Sequence, residues 1–198
     1  ELTAKWREKN GVGMESWEEK SLKDICERIT DGEHFRPPVV DIGVPFLSAK
    51  DIRDEGVSFD DILYISQETA DKALKRCNPQ AGDILIVSRG ATVGRMCIVN
   101  TDKVFCLLGS VILLKVQGML SKLLLYFLKS PSIYEKLKDI SGATAQQAIY
   151  LRDIKDMKVS LPTLPEQQEI VRILDSLFEK EQKAKELCDV IDKIDLMK

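Results

Sequence analysis

The segment Leu161–Val171, LPTLPEQQEIV, divides the chain into two parts. Pro162 and Pro165 end whatever precedes them, because proline fixes its own φ and pushes the residue before it toward extended backbone. Thr163, followed three residues later by Glu166, is typical of a capping box, and Pro165 falls in the first turn, where no backbone N–H is needed. The sequence therefore predicts that a helix begins here.

This predicted helix continues to the last residue, because the chain contains neither glycine nor proline after Pro165. Its length is about 30 residues, or roughly 45 Å at about 1.5 Å per residue. We name residues 163–198 the rod and residues 16–162 the body. Residues 1–15 have little apolar periodicity and are interpreted as a linker.

The composition indicates a soluble globular protein, because 44% of the 198 residues are hydrophobic and 31% are charged. The apolar runs Val104–Val116 and Leu123–Leu128 are too short to cross a bilayer, and the charged first residues are unlike a signal peptide. Five cysteines without a C-x-x-C pair and the single histidine, His34, provide no metal-ligand spacing. We therefore expect a reduced, cytoplasmic protein without metal or cofactor. The first residue, Glu1, suggests a fragment of a longer chain.

The net charge of −3 is unevenly distributed. Residues 166–198 contain nine acidic and six basic side chains, so the remaining 165 residues are balanced, with 23 of each sign. Within the body, the segment Lys72–Lys103 has six basic and only two acidic side chains. A local basic face is therefore possible despite the acidic total, although ordinary solvated surface charge is an equally good interpretation.

Local sequence patterns predict an α+β body. Helices are expected from Ser21, with Leu22, Ile25, Cys26 and Ile29 on one face, over Ser66–Arg76, and over Ser121–Lys129 and Ser132–Ile140 on either side of Pro131. Strands are expected at Val44–Ala49, Ile84–Val87, Met96–Val99, Val104–Val116 and Lys158–Leu161.

The predicted hairpin formed by Ile84–Val87 and Met96–Val99 has a basic, hydroxyl-bearing tip. Its candidate contact residues are Ser88, Arg89, Thr92 and Arg95. Gly90 and Gly94 do not have the spacing of a nucleotide-binding loop, so phosphate and base-edge contacts to nucleic acid fit this tip better. The alternative is a plain tight turn with exposed arginines.

Other candidate nucleic-acid contacts lie in turns and on one polar helix face. These contacts come from four places. They are a turn-rich loop, a turn after a strand, a loop of small residues, and the face of the helix Ser66–Arg76 that carries no apolar residues. These residues are His34, Arg36, Lys50, Lys72, Lys75, Arg76, Gln146 and Gln147. Glutamine can read adenine with two hydrogen bonds, although exposed glutamines are more often ordinary polar surface.

An apolar stripe runs along the rod, which we name the rod stripe. Its members recur at spacings of 4, 3, 7, 4 and 3 residues, with Glu181 interrupting them, and are Ile170, Leu174, Leu177, Ala184, Cys188 and Ile191. A long amphipathic helix gains most of its stability from packing, so we expect the rod stripe to be covered by a second helix of the coiled-coil type. That helix would come from another half of the same chain or from a second copy. The alternative is that the rod folds back on its own body.

Four segments, in this order and spacing, resemble the DNA-specificity subunit of type I restriction-modification systems. They are GVPFLSAKDI at Gly43–Ile52, GDILIVSRGATVGRMCIV at Gly82–Val99, SGATAQQAIYLRDIKDMKVSLP at Ser141–Pro162 and LPEQQEIV at Leu164–Val171. The resemblance implies a target recognition domain with a curved, mostly antiparallel β-sheet and flanking helices, followed by one of two antiparallel spacer helices. The opening ELTAKWREKNG is similar to the segment after the first spacer helix, which implies the second half of a longer subunit. A natural half-subunit is the alternative.

The resemblance also implies a function. Members of the family are non-catalytic and bring an adenine-N6 methyltransferase and an ATP-dependent restriction endonuclease to a bipartite site in double-stranded DNA. The sequence agrees with this, since it contains no [DN]-P-P-[YF] tetrad, no glycine-rich S-adenosylmethionine loop and no P-loop. The alternative function is a protein-interaction scaffold that uses the rod and does not bind DNA.

Overall fold

The computed structural model describes residues 17–142 and 148–195, with side chains described over 17–137 and 148–189. The helices are α1 (Leu22–Ile25), α2 (Gln67–Arg76), α3 (Ser121–Lys129), α4 (Pro131–Gly142), α5 (Leu151–Asp156) and α6 (Leu164–Asp195), with a 3-10 turn at Ala49–Asp51. The strands are β1 (Glu18–Ser21), β2 (Cys26–Asp31), β3 (Val39–Val40), β4 (Val44–Leu47), β5 (Ile52–Arg53), β6 (Gly56–Val57), β7 (Leu63–Ile65), β8 (Ile84–Val87), β9 (Met96–Ile98), β10 (Cys106–Leu107), β11 (Val111–Val116) and β12 (Lys158–Leu161).

A four-stranded antiparallel sheet, in the order β2-β11-β8-β9, forms the centre of the body. Side chains of a strand alternate between its two faces, so the continuous apolar runs of β8 and β11 supply a core on each face. One core contains Ile84, Ile86, Ile112 and Leu114, together with residues of α3 and α5. The other contains Leu85, Val87, Val111 and Leu113. This sheet is therefore covered on both sides.

A second four-stranded sheet, in the order β10-β4-β7-β3, lies beside it. Its pairings are antiparallel except between β10 and β4, which are parallel. Helix α2 covers it with the buried residues Ala70 and Ala73, and its N-cap is Ser66, whose hydroxyl accepts from the backbone N–H of Thr69. Strand β3 is at the edge of this sheet. The predicted α+β class, with mostly antiparallel sheets and a long C-terminal helix, is confirmed.

The base of the rod is held to the body by hydrogen bonds. Both the backbone N–H and the hydroxyl of Thr163 donate to the Glu166 carboxylate, as the capping box predicts. The buried side chain of Gln167 accepts from the backbone of Leu120 at 2.8 Å and donates to the carbonyl of Pro162 at 2.9 Å. Strand β1 pairs antiparallel with β12, so the first described strand also lies at this base.

Farther along α6, four side chains hold it against α3, and we name them the rod latch: Lys122, Tyr126, Asp175 and Phe178. The rings of Tyr126 and Phe178 stack with centroids 5.1 Å apart. The Tyr126 hydroxyl and the Lys122 ammonium both donate to the Asp175 carboxylate. Burial and the hydrogen bond to Asp175 raise the pKa of Tyr126, so the phenol remains a donor. Partial burial acts to raise the pKa of Asp175, but the two donors lower it, which keeps the carboxylate charged.

The rod stripe is divided between two environments. Ile170 packs against the core of the body, and Leu174 lines an apolar groove of about 1000 Å³ between α3, β12 and α6. From Leu177 to Asp189, by contrast, every residue of α6 is exposed. The expectation that the whole stripe awaits a partner is therefore wrong for Ile170, because the first turns of α6 fold back on the body. Leu177, Ala184 and Cys188 have the exposure that a partner would require.

Three other expectations differ from the structure. The helix after Ser21 ends at Ile25, because Cys26 and Ile29 belong to β2, which pairs with β11. The predicted strand Val104–Val116 is divided into β10 and β11. Helix α5 was not predicted. In the part of the chain that the structure describes, no helix is both long and apolar enough to span a membrane.

Candidate nucleic-acid interface

Four loops meet at one end of the strands of the central sheet. The strand registers put the C-terminal ends of β2 and β8 beside the N-terminal end of β11. The backbone hydrogen bonds that join these loops run from Gly109 N to Glu33 O (2.7 Å), from Ser88 N to Ser110 O (2.8 Å) and from Ile149 N to Ser88 O (2.9 Å). We name this surface, residues 32–36, 88–90, 108–110 and 148–149, the loop edge.

Arg89 is the exposed cation of the hairpin at the loop edge. Its backbone forms an isolated bridge with Ala148, which fixes its position. Among the described residues, no hydrogen bond or ion pair engages its guanidinium group. A partly free guanidinium with a fixed backbone can bind a phosphate or the acceptor edge of a guanine.

Ser88, predicted beside Arg89 at the exposed tip, is only 3% exposed. Its backbone is bonded on one side to Ser110 and on the other to Ile149, so the residue continues the sheet rather than joining the turn. Its hydroxyl lies 3.5 Å from the carbonyl oxygen of Gly109. The expectation of an exposed Ser88 hydroxyl is therefore wrong, and a direct nucleic-acid contact would require the loop edge to open.

A second group of cations lies around Asp31, the buried carboxylate at the end of β2. The Arg76 guanidinium donates to Nε2 of His34 at 2.8 Å and forms an ion pair with Asp31. Nε2 of His34 lies 3.7 Å from the Asp31 carboxylate. Arg28 donates to the carbonyl groups of Lys75 and Arg76 at 3.4 and 3.1 Å, at the C-terminus of α2, where the helix dipole favours a cation. Arg76 thus contacts His34 of the loop edge, Arg28 contacts the backbone of Arg76, and Lys75 enters this group only through its backbone carbonyl.

The loop after β2 also exposes Arg36 and its neighbour Phe35. Within residues 17–137 and 148–189, the Arg36 side chain has no hydrogen bond or ion pair. Arg36 precedes Pro37, and proline restricts the residue before it to extended backbone. The loop therefore presents a free guanidinium and an exposed aromatic ring from adjacent positions.

The other two hairpin candidates, Thr92 and Arg95, lie away from Arg89. They line a cleft of about 440 Å³ together with Asp54, Lys129 and Tyr134. The Arg95 guanidinium reaches the carbonyl oxygen of Ile52 at 3.5 Å. Since Lys129 is paired with Asp54 at 2.9 Å, this cleft is partly neutralised. The hairpin thus divides its polar side chains between two surfaces.

Lys50 and Lys72 do not belong to the loop edge. The Lys50 ammonium lies 3.6 Å from the Asp61 carboxylate, and Lys72 pairs with Glu68 at 2.7 Å on the outer face of α2. Exposed pairs of this kind contribute little to stability, so both lysines remain available to a polyanion at low cost. Gln146 and Gln147 lie outside the described residues. The contacts predicted for all these side chains stay predictions.

Two buried cysteines of the central sheet region, Cys77 and Cys97, are unreactive. Burial raises the pKa of Cys77 and of Cys97 to about 12, so neither thiol is a nucleophile near neutral pH. In residues 17–142 and 148–195, no group of His, Cys, Asp and Glu side chains has the spacing to hold a metal ion.

Sequence reasoning did not single out Arg28 or Phe35. Arg28 was placed on a helix, although the alternation of apolar Ile29 with polar neighbours in CERITD also fits a strand. Phe35 was not predicted as a contact residue, because exposure cannot be read from one aromatic residue in a polar loop. Its exposure depends on how β3 is placed, which is a tertiary property.

Comparison with known proteins gives a consistent result. The family model described as the type I restriction modification DNA specificity domain matches residues 14–189. The EcoBI specificity subunit of Escherichia coli is 31% identical over 138 residues, which cover 69% of this chain and 29% of that protein. The MjaIX specificity subunit of Methanocaldococcus jannaschii is 27% identical over 187 residues, covering 88% of this chain and 41% of that protein.

Solved structures share the fold. The HsdS subunit from Thermoanaerobacter tengcongensis has a TM-score of 0.63 at 22% identity, over 88% of this chain and 40% of that one. A chain from a structural study of complex assembly in the type I R-M system has a TM-score of 0.66 at 22% identity, over 93% of this chain and 48% of that one. The present chain spans less than half the length of each of these relatives.

Proposed function

Because this chain belongs to the type I restriction-modification DNA specificity family, we propose that its body binds one half of a bipartite site in double-stranded DNA. The rod then joins the body to a second spacer helix and to the catalytic subunits. In this role the chain is itself non-catalytic and directs an adenine-N6 methyltransferase and a restriction endonuclease to their target. The complex acts on DNA in the cytoplasm.

The observation that carries this proposal is the concentration of cations at the loop edge. Arg36 and Arg89 offer guanidinium groups with no hydrogen bond or ion pair to the described residues, and Arg76 contacts His34 of the same surface. Phosphate contacts position a protein on the duplex, and arginine is the side chain that most often reads guanine in the major groove. The rod supplies none of these cations, which separates the two roles along the chain.

A protein-interaction scaffold is the second candidate. The observation that favours it is the exposed half of α6, where Leu177 and Leu187 are open to solvent. A scaffold alone, however, leaves the cations of the loop edge without a role. A binding assay with mixed duplex DNA separates the two candidates, because only the first predicts an affinity for DNA.

We expect DNA binding by this chain to fall steeply with salt. Cations that neutralise phosphates release condensed counterions, so the slope of log K against log salt is about −0.9 for each phosphate contact on B-DNA. With three to five contacts, the affinity is expected to fall by roughly 40- to 500-fold between 50 and 200 mM salt. Fluorescence anisotropy with a mixed-sequence duplex measures this slope. Binding that does not change with salt would contradict the proposal.

Replacement of Arg89 by alanine is expected to cost about 1 to 3 kcal/mol of binding free energy for the target half-site, if its guanidinium reads a base. Preference for one base pair would then relax. A phosphate contact would instead weaken all sequences equally and reduce the salt slope by about one.

The matched control is Arg53→Ala, since Arg53 is also an exposed arginine but pairs with Asp60 at 3.0 Å and lies in the short strand β5. Both variants are measured by anisotropy on the selected duplex and on a random one. Equal losses in the Arg89 and Arg53 variants would assign Arg89 to general surface charge.

A further inference from the structure

An apolar patch is exposed on the segment that leaves the loop edge. Phe35 is 87% exposed, Ile42 is 92% exposed, and Val39 lies between them on the edge strand β3 and is also exposed. Single exposed apolar residues are ordinary, but a run of large ones beside a polar rim marks a contact surface. At 87% exposure, Phe35 contributes little to the core of the body, so its ring is available to a binding partner.

This segment is clamped at both ends by glycines whose surroundings leave no room for a side chain. A Cβ atom added at Gly32 would lie 2.0 Å from the carbonyl oxygen of Leu107, and one added at Gly43 would lie 2.2 Å from that of Ile65. Between them, Pro37 and Pro38 stiffen the backbone. The segment therefore presents Phe35 with little loss of conformational entropy on binding.

The charge around the patch favours a polyanion over a protein surface. Arg36 follows Phe35 directly, and His34 before it contacts Arg76. Arg89 belongs to the same loop edge, and Arg28 caps the adjacent end of α2. Glu33 and Asp41 belong to the same segment, so the unpaired positive charge is concentrated at Arg36 and Arg89. Protein interfaces are depleted of charge at their centres, whereas protein–DNA interfaces are strongly positive.

We propose that Phe35 makes an apolar contact with the bases of the bound duplex while Arg36 contacts the flanking phosphate backbone. Both side chains are exposed at adjacent positions of the loop, so a ring that contacts the bases leaves the guanidinium within reach of the phosphates beside them. Phe35 is then a specificity-determining residue of the DNA site. This inference rests on the proposed function, and it adds a base contact that does not depend on hydrogen bonding.

The test compares Phe35→Ala, Phe35→Trp and the control Val104→Ala with the parent chain. Val104 is also an exposed apolar residue, but it precedes β10 and so lies at the far end of that strand from the loop edge. A duplex is first selected by the parent chain from a random pool. Affinity is then measured by anisotropy for the selected duplex, for a random duplex and for a copy with deoxyuridine in place of thymine.

Phe35→Ala is expected to lose about 5- to 100-fold in affinity for the selected duplex, in line with the loss of one base–aromatic contact, and less for the random one. Phe35→Trp and Val104→Ala should retain parent affinity. If the contact is to a thymine methyl group, the deoxyuridine duplex weakens the parent but not Phe35→Ala; if the ring stacks on a base, deoxyuridine has little effect.

Two outcomes overturn the inference alone. One is equal binding of the selected duplex by Phe35→Ala and the parent. The other is a change in self-association of Phe35→Ala without DNA, measured by sedimentation velocity, with DNA binding unchanged, because the patch would then be a protein contact. A parent chain that binds no duplex overturns the proposed function and this inference with it.

Discussion

Replacement of Leu177 and Leu187 together by glutamate is expected to reduce assembly through the rod by more than 100-fold while the body remains folded. Both leucines are exposed, Leu187 by 61%, and neither belongs to the rod latch, although Leu177 is next to Phe178. Burying a carboxylate at a helix–helix contact costs several kcal/mol when no partner compensates it. Because neither side chain belongs to the core, thermal unfolding of the body should be little changed.

The matched control is the pair Gln168→Glu and Gln182→Glu, which adds the same two charges at exposed positions on another side of the same helix. Light scattering gives the mass of each variant, and co-purification tests binding to the methyltransferase subunit. A leucine variant that keeps both the parent mass and the methyltransferase would refute the role proposed for the exposed apolar residues Leu177 and Leu187 of α6.

Replacement of Gly32 by alanine is expected to destabilise the body by about 3 kcal/mol, the upper range for overpacking, and to disorder the loop edge. The new Cβ atom would lie 2.0 Å from the backbone oxygen and 2.3 Å from the backbone carbon of Leu107, which cannot rotate away as a side chain would. For a chain of this size the melting temperature should fall by roughly 6–12 °C. DNA binding should be lost together with the order of the loops.

Gly118→Ala provides the control, because the added methyl group there would approach Ile25 no closer than 3.3 Å. That distance requires only a small shift, so a loss of well under half the Gly32→Ala value is expected. Calorimetry measures both variants. Equal melting temperatures for Gly32→Ala and the parent would contradict this prediction. They would mean that β2 and β10 can move apart without a loss of stability.

The sequence predicts those elements whose signals are local. Ser66 caps α2 through a contact with Thr69, and Thr163 with Glu166 forms the capping box of α6, so both helix starts follow from residues three positions apart. The hairpin of β8 and β9 follows from two short apolar runs around a glycine-containing turn. Each of these predictions depends on residues close together in the chain.

Elements that depend on distant partners were not predicted. The segment 104–116 has the composition of one strand, but Gly109 turns to donate to Glu33, which is more than seventy residues earlier, and the strand is broken there. Helix α1 ends early because Cys26 pairs with Val116. No window of a single sequence contains both partners of such a pair.

The candidate site shows the same limit. The basic hairpin was identified from its composition, and Arg89 is indeed exposed, but Ser88 one residue earlier is held between Ser110 and Ile149. The group of Arg28, His34 and Arg76 is brought together by β2 and α2, which are separated by about forty residues. Residue type therefore predicts which chemical groups a site can contain. It predicts less well which of those side chains lie together in the folded protein.

The rod latch fixes the angle between α6 and the body, and this angle determines where the far end of the rod lies. From Leu177 to Asp195 helix α6 continues for about 27 Å, so a tilt of about 7° at the latch would displace its far end by about 3.4 Å, the rise of one base pair. If the second half-site is read from the far end, the stacked rings of Tyr126 and Phe178 and the charged Asp175 carboxylate determine how many base pairs may separate the two halves. If the latch were looser, each half-site would still be recognised, but a wider range of spacings between the two half-sites would be accepted.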